Sequence, residues 1–305
     1  MPDLAVVIVS WNVRGLLAIC LRSLFVDLEQ SDLEAQIWVV DNASADGTPE
    51  MVAETFSSAR LIASDENLGF VRGNNLALHE ILDPQSQTPR YIWLLNPDTE
   101  VLPGATIALL SALKADPQAG MTGPKLIYPD GSLQHSAFRF PGLTQLIFDL
   151  FPLPARFYET ALNGRYPHRL YQGTQPFLID HPLGASMMVK SAVIADVGMM
   201  DEGFFMYCEE IDWCWRMHKA YWHIYCVPAA HVIHHAGQSS GQVRVSSFVN
   251  LWTSRARLYA RHHGPLTRRL ARALVRARMR QRMRGATPDM VNACQQVIHA
   301  WEQVR

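Results

Sequence analysis

Three acids fall within four residues at Glu209, Glu210 and Asp212, in the stretch FFMYCEEIDWCWR. Phe204, Phe205, Tyr207, Trp213 and Trp215 flank them. Acids in an apolar setting are costly to keep unless they are used. A carboxylate held there suits proton abstraction from an attacking hydroxyl. On a helix, Glu209 and Asp212 share a face and Glu210 points elsewhere. The plainer reading is the solvated acidic first turn of a helix, favoured by its dipole. A second group closes YIWLLNPDTEV. The run from Tyr91 to Leu95 suits a strand buried on both faces, and it stops at Asn96-Pro97-Asp98. Asn, Pro and Asp make turns. A carboxylate at the carboxyl end of a central strand is also where open α/β sheets bind ligands. A third group, HVIHHAGQSS, holds His231, His234 and His235, whose imidazoles serve as metal ligand, base or plain surface.

The elements that must position these groups alternate. LAVVIVSW reads as a strand ending in Ser10-Trp11-Asn12, and residues 14–30 as a helix with Leu16, Leu17, Cys20, Leu21 and Leu24 on one face. QIWVVDNAS is a second strand ending at Asp41, and residues 48–58 are helical. ARLIASDEN is a third strand leading to Asn67-Leu68-Gly69-Phe70, and GFVRGNNLALHEIL passes from a glycine-containing loop into a helix. After the fourth strand, residues 103–115 form another helix. Four alternations predict an α/β fold with a mostly parallel sheet and helices on both faces. The four polar strand ends then share one edge, which predicts a binding crevice. Gly69 and Gly73 let backbone approach a ligand. GxGxxG, the P-loop pattern and HExxH are all absent, which removes support for a dinucleotide dehydrogenase, a P-loop kinase and a zincin hydrolase. Residues 137–178, rich in Pro and aromatics, read as irregular structure or a mobile loop.

The 305 residues, 49% hydrophobic and 18% charged, are enough for a sizeable core. Five scattered cysteines without a CxxC pair argue for a reducing compartment and against a disulfide framework. The N-terminus lacks a basic n-region, and no apolar run reaches the roughly 18 residues of a spanning helix. The expected location is cytoplasmic, with a peripheral seat on the inner face of the cell membrane. The net charge of −1 hides a split: residues 254–305 carry twelve Arg against two acids, and the rest carries 15 basic and 26 acidic groups. Leu258, Leu266, Leu270, Leu274 and Met279 lie among those arginines, predicting a basic amphipathic helix or helix pair broken at Gly264-Pro265. Such a tail suits an anionic membrane surface, or packing on the acidic body. Without interleaved aromatics it suits nucleic acid least. The expected division is 1–245 and an Arg-rich helical tail, 246–305.

The blocks VVIVSWNVRGLLAICLRSL, VVDNASADGT, ENLGFVRGNNLAL, YIWLLNPDTEV, GPKLIYPDGSLQHSAFRFPG and GASMMVKSAVIADVGMMDEGFFMYCEEIDWCWR, in this order, resemble inverting GT-A fold glycosyltransferases of family 2. The likeness is to the bacterial rhamnosyltransferase-like subgroup and spans roughly residues 4 to 240. It implies transfer of rhamnose or another hexose from a nucleotide-diphosphate donor to a glycan or lipid-linked acceptor, in cell-surface polysaccharide synthesis. It implies donor contacts from Asp41, Asn67, Gly69, Gly73 and Asn74, to which the polar strand ends add Ser10, Trp11, Asn12, Phe70 and Asn96 as expected donor contacts. Asp98 matches the second aspartate of a DxD motif that holds Mg2+ or Mn2+ on the diphosphate, with Asn96 replacing the first. Glu209-Glu210 matches an acidic pair whose second member is the base, so Glu210 is the expected base and Asp212 the second choice. His234 or His235 is expected near the cation, His234 first. Two other readings stay open: a metal-dependent hydrolase of nucleotide-diphosphate sugars, and a nucleic-acid-binding protein acting through the tail.

Overall fold

A computed structural model of the chain describes residues 2–236 and 244–304. In the first half, strands and helices alternate as β1 (Leu4–Ser10), α1 (Arg14–Glu29), β2 (Ala35–Asn42), α2 (Thr48–Thr55), β3 (Arg60–Ser64), α3 (Gly69–Ile81), β4 (Tyr91–Leu95), β5 (Thr99–Val101) and α4 (Ala105–Ala115). The second half adds β6 (Ala119–Ile127), β7 (Leu133–Gln134), β8 (Ala137–Phe138), α5 (Leu143–Leu150), β9 (Phe177–Leu178), β10 (His181–Pro182), β11 (Ser186–Lys190), α6 (Ser191–Val197), α7 (Glu209–Lys219) and β12 (His223–His234). Three helices close the chain: α8 (Arg244–His262), α9 (Pro265–Arg282) and α10 (Pro288–Glu302).

The main sheet runs β3-β2-β1-β4-β11-β6-β12-β5. Its first four strands are parallel, β11 inserts antiparallel between β4 and β6, and β12 returns parallel to β6. Side-chain alternation splits β1 between two cores. Leu4, Val6 and Ile8 pack under α1, α2 and α4, while Ala5 and Val7 pack under α3, α6 and α7. Burial of each such aliphatic side chain is worth about 1.5–3 kcal/mol, which is why this strand has no polar face.

The segment expected to be irregular, 137–178, holds α5, short strands and three single 3-10 turns between positions 155 and 171. β12 changes register between Val227 and His231, and its last residues pair antiparallel with β5, His234 opposite Thr99. The chain thus leaves the middle of the sheet at Leu95 and joins the other edge at Thr99, with Asn96-Pro97-Asp98 as the bridge.

The break at Gly264-Pro265 separates α8 from α9 as expected. The leucines and Met279 do not share one environment. Leu258 is buried beneath α7, Leu274 is half-buried, Met279 is buried, and Leu266 and Leu270 face solvent. The reason is that α8, α9 and α10 form a third core with α5, built on Leu146, Leu150, Trp252, Tyr259, Val275, Val297 and Trp301. Arginines of α8 also pair with acids of the body: Arg255 with Asp149 at 2.8 Å, Arg257 with Asp201 at 2.8 Å, and Arg261 with Asp201.

Candidate active site

The carboxyl ends of β1, β2 and β4 open on a cavity of about 260 Å3. Ser10 and Trp11, Asn42, Asn67, Gly69 and Phe70, and Asn96 to Asp98 line it together with Gly184, Tyr207, Glu209, Glu210 and His234. Buried polar atoms without a protein partner gather here: Ser10 Oγ, Asn42 Oδ1, Asn96 Oδ1, Glu209 Oε2 and Glu210 Oε2. Each such atom costs about 1–3 kcal/mol, a cost that a bound polar ligand offsets.

The backbone around Asp98 is fixed at both ends. Asn96 N donates to Ala185 O at 2.8 Å, and His235 N donates to Asp98 O at 2.9 Å. Asp98 and His234 are both buried, with His234 Nε2 3.4 Å from Asp98 Oδ1. His234 Nδ1 lies 3.0 Å from Gln134 Oε1. An Nδ1–H donated to that carbonyl leaves the Nε2 lone pair facing the Asp98 carboxylate. The neighbouring His235 turns to the opposite side of the chain and meets Glu100 Oε1 at 2.6 Å. The histidine of the cavity is therefore His234. Asp98, His234 and the unpartnered Asn96 Oδ1 form a donor set suited to a divalent cation that also takes phosphate oxygens.

The acid pair enters through strained backbone. Tyr207 and Cys208 adopt φ of 69° and 65° in the left-handed region, costing about 1–3 kcal/mol each for residues with a Cβ. This turn starts α7 so that both Glu209 and Glu210 line the cavity. Burial raises the Glu209 carboxyl well above the ordinary range, and the charge of Glu210 raises it further. Burial lifts Glu210 to about 7 against the opposing amides of the first helical turn. Two adjacent buried carboxyls resist double ionisation, and a carboxyl raised toward neutral pH is suited to accept a proton there.

Asp212 does not reach this cavity. It is fully buried, accepts from Arg216 Nε at 3.0 Å, and lies 2.8 Å from His262 Nε2 and 3.4 Å from Arg261 Nε. Burial raises its carboxyl, but the hydrogen bonds from His262 and Arg216 prevail and hold it below the usual range. Its neighbours make it a tie between α7 and α8. Helical spacing had put it on the face of Glu209; the two glutamates instead share the cavity, because the turn at Tyr207-Cys208 aims the first residues of α7 inward.

Other expected contacts stand behind the wall. Asp41 is buried, and its Oδ2 accepts from Ser44 N at 2.8 Å. Asn12 Oδ1 accepts from Ala45 N at 2.8 Å, joining the loops after β1 and β2. Asn74 Nδ2 donates to Phe70 O at 2.8 Å. Gly73 lets α3 lie on β1, since a Cβ there would sit 2.8 Å from Val9 Cγ1. Gly69 has φ +76°, and a Cβ there would meet Phe205 O at 2.6 Å. The amide of Phe70 donates to that same oxygen at 3.0 Å, locking the start of α3 to the acid loop. Asn42 and Gly184 line the cavity and Gln134 holds His234, yet their residue types carry no chemical signal in the sequence.

The pattern of Glycosyl transferase family 2 matches residues 5–190, which includes β1 to β11 and the Asp98 bridge. The chain belongs to glycosyltransferase family 2. Over 214 residues this family 2 chain is 31% identical to the N-acetylglucosaminyl-diphospho-decaprenol L-rhamnosyltransferase of Mycobacterium tuberculosis, covering 68% of each chain. It is 28% identical over 172 residues to rhamnosyltransferase WbbL of Escherichia coli, covering 55% of this chain and 61% of that one. It is 27% identical over 185 residues to the low-salt glycan biosynthesis hexosyltransferase Agl10 of Haloferax volcanii, covering 61% of this chain and 54% of the relative. Two solved structures share the fold. GalNAc-T7 with UDP, GalNAc and Mn2+ superposes with a TM-score of 0.59 at 14% identity, over 85% of this chain and 48% of that one. The mannosyltransferase PcManGT of Pyrobaculum calidifontis with GDP-Man and Mn2+ gives 0.52 at 15% identity, over 100% and 74%. The family 2 chain thus spans about half the length of the GalNAc-T7 structure. The expected mostly parallel α/β sheet of GT-A type, with helical C-terminal elements, is the fold found. The chain is a glycosyltransferase by family, with rhamnosyltransferase-like relatives. Among the described residues no helix is long and apolar enough to cross a membrane.

Proposed function

We propose that this glycosyltransferase is inverting, with Glu210 as its base. The observation that supports it is that two unlike groups line one cavity: Asp98 with His234, and the Glu209-Glu210 pair, raised by burial. The first holds the donor's diphosphate end. The second takes the proton of the acceptor hydroxyl. The hydroxyl oxygen bonds to the anomeric carbon as the bond from that carbon to the diphosphate breaks. The proton passes to a Glu210 carboxylate oxygen, and the nucleoside diphosphate leaves with the bonding pair. One displacement, without a covalent intermediate, inverts the anomeric centre.

Mg2+ or Mn2+ bound by Asp98, His234 and Asn96 Oδ1 would neutralise charge on the leaving diphosphate. Ser10, Trp11, Asn67, Gly69 and Phe70 line the donor end, while Asn12, Asp41, Gly73 and Asn74 shape it from behind. The names of the relatives support rhamnose or another hexose as the sugar, and a glycan or lipid-linked acceptor.

A lipid-linked acceptor requires the enzyme to meet a membrane surface, and α9 offers a face for it. Leu266, Arg269, Leu270, Ala273, Arg276 and Arg280 recur at helical spacing and are exposed, Leu266 at 71% and Leu270 at 45%, and Arg284 is exposed in the turn just past the helix. Among the described residues no acid pairs with Arg269, Arg276, Arg280 or Arg284. Near an anionic surface each such Arg adds about 1 kcal/mol. The enzyme would sit on the cytoplasmic face of the membrane, with residues 246–305 supplying the contact.

Product analysis with a panel of nucleotide-diphosphate hexoses and a lipid-diphosphate sugar acceptor tests the reading. Transfer to the acceptor with inverted stereochemistry supports it. Release of free sugar and nucleotide alone, with acceptor present, would assign hydrolysis instead.

A further inference from the structure

Gln134 holds the cavity histidine His234, and the next residue, His135, meets the 3-10 turns at positions 155–171. There the buried His135 faces His168, their Nε2 atoms 3.0 Å apart. His168 Nε2 is 3.4 Å from Glu159 Oε2, and His135 Nε2 contacts the same oxygen. The ligand atoms of the three side chains all lie within 4.8 Å of one another. Four donors around Zn2+ at ~2.0–2.1 Å stand about 3.3 Å from each other, close to the 3.0 Å and 3.4 Å that separate His168 Nε2 from His135 Nε2 and from Glu159 Oε2. The rings are held: His135 packs edge-on against Tyr171 at 5.7 Å, and Arg165 Nε lies 3.6 Å from the remaining oxygen of Glu159.

We propose that His135, Glu159 and His168 form a zinc site, separate from the cavity and from sugar transfer, with its fourth position open to water. Two imidazoles and one carboxylate suit Zn2+ better than Mg2+, whereas the oxygen-rich set at Asp98 and Asn96 suits Mg2+ or Mn2+. The ion pins the 155–171 turns, which have little regular secondary structure of their own, to the strand that supports His234. Segments with so little regular secondary structure open more easily unless tied down.

Isothermal titration of untagged full-length protein with Zn2+, in excess Mg2+, tests this. One tight equivalent is expected. Glu159→Gln and His168→Ala alter half-exposed side chains and should keep the fold while weakening Zn2+ binding about tenfold or more. Asp98→Asn should leave that equivalent intact. Co2+ in place of Zn2+ should give visible absorption in wild type that is lost in His168→Ala. Zn2+ should slow proteolysis between positions 155 and 171 in wild type only. Absence of a tight equivalent in wild type, or unchanged Zn2+ affinity in both Glu159→Gln and His168→Ala, overturns the site.

Discussion

At the scale of single residues, the chemistry rests on which acid faces the cavity. The aromatic setting of Glu209, Glu210 and Asp212 is legible in the sequence. Their division of labour is not, because it depends on left-handed Tyr207 and Cys208, which no glycine announces. His234 and His235 are equally ambiguous until the pairing of His234 with Thr99 fixes which one meets Asp98. Burial holds Glu210 at about 7, above the ordinary glutamate value of 4.5. A folded pKa raised in this way means stability is full below about 4.5 and falls as pH rises through about 7. Glu210→Gln removes the ionisation, so thermal denaturation should show a gain in Tm at pH 8 relative to wild type and little gain at pH 4. A variant curve parallel to wild type across that range would mean that Glu210 is not desolvated. Gly69→Ala places a Cβ 2.6 Å from Phe205 O at a left-handed position, and chemical denaturation should register a loss of roughly 1–3 kcal/mol.

Among the elements, the first four strands and their helices are readable because β1, β2 and β4 are built on apolar runs, the short β3 keeps Leu61, Ile62 and Ala63 at its centre, and helical stretches alternate with them. β5 and β11 are not readable as partners. β5 is three residues long, and β11 joins the sheet antiparallel after a long irregular passage. The expected role of Asp212 as a reserve base gives way at this scale to a tie between α7 and α8, through His262 and Arg261, with Arg216 of α7 itself as a further partner. Removing one partner of a buried charged network leaves the others uncompensated, at a cost of about 3–5 kcal/mol. Asp212→Ala should lower stability by about that amount in urea titration while the folded fraction still binds donor. Since hydrogen bonds hold the Asp212 carboxyl below its usual range, its contribution is present above the unfolded pKa and is lost as pH falls through the folded one. Loss of turnover in Asp212→Ala at full stability would return it to a chemical role.

For the whole molecule, the charge split is plain in the sequence, but its use is divided. Arg255, Arg257 and Arg261 of α8 are spent on acids of the body, whereas the outer face of α9 is left to solvent. Linear sequence could not separate these, because the division follows from which side of each helix meets α5 and α7. The third core includes Leu146 and Leu150, so deletion of residues 246–305 would also expose apolar surface of the body. Substitution is the cleaner probe. Leu266→Glu with Leu270→Glu should abolish flotation with anionic vesicles, and replacing Arg269, Arg276, Arg280 and Arg284 with Gln should remove its salt dependence. Equal recovery of wild type on anionic and neutral vesicles would contradict membrane docking through α9.

The central claim is that Glu210 takes the acceptor's proton, and a paired measurement on Glu210→Gln tests it most directly. Donor affinity, read by calorimetry with Mg2+ or Mn2+ present, should match wild type, while kcat for sugar transfer should fall about 10²–10⁴-fold. Turnover near that of wild type, with donor affinity intact, would contradict the assignment.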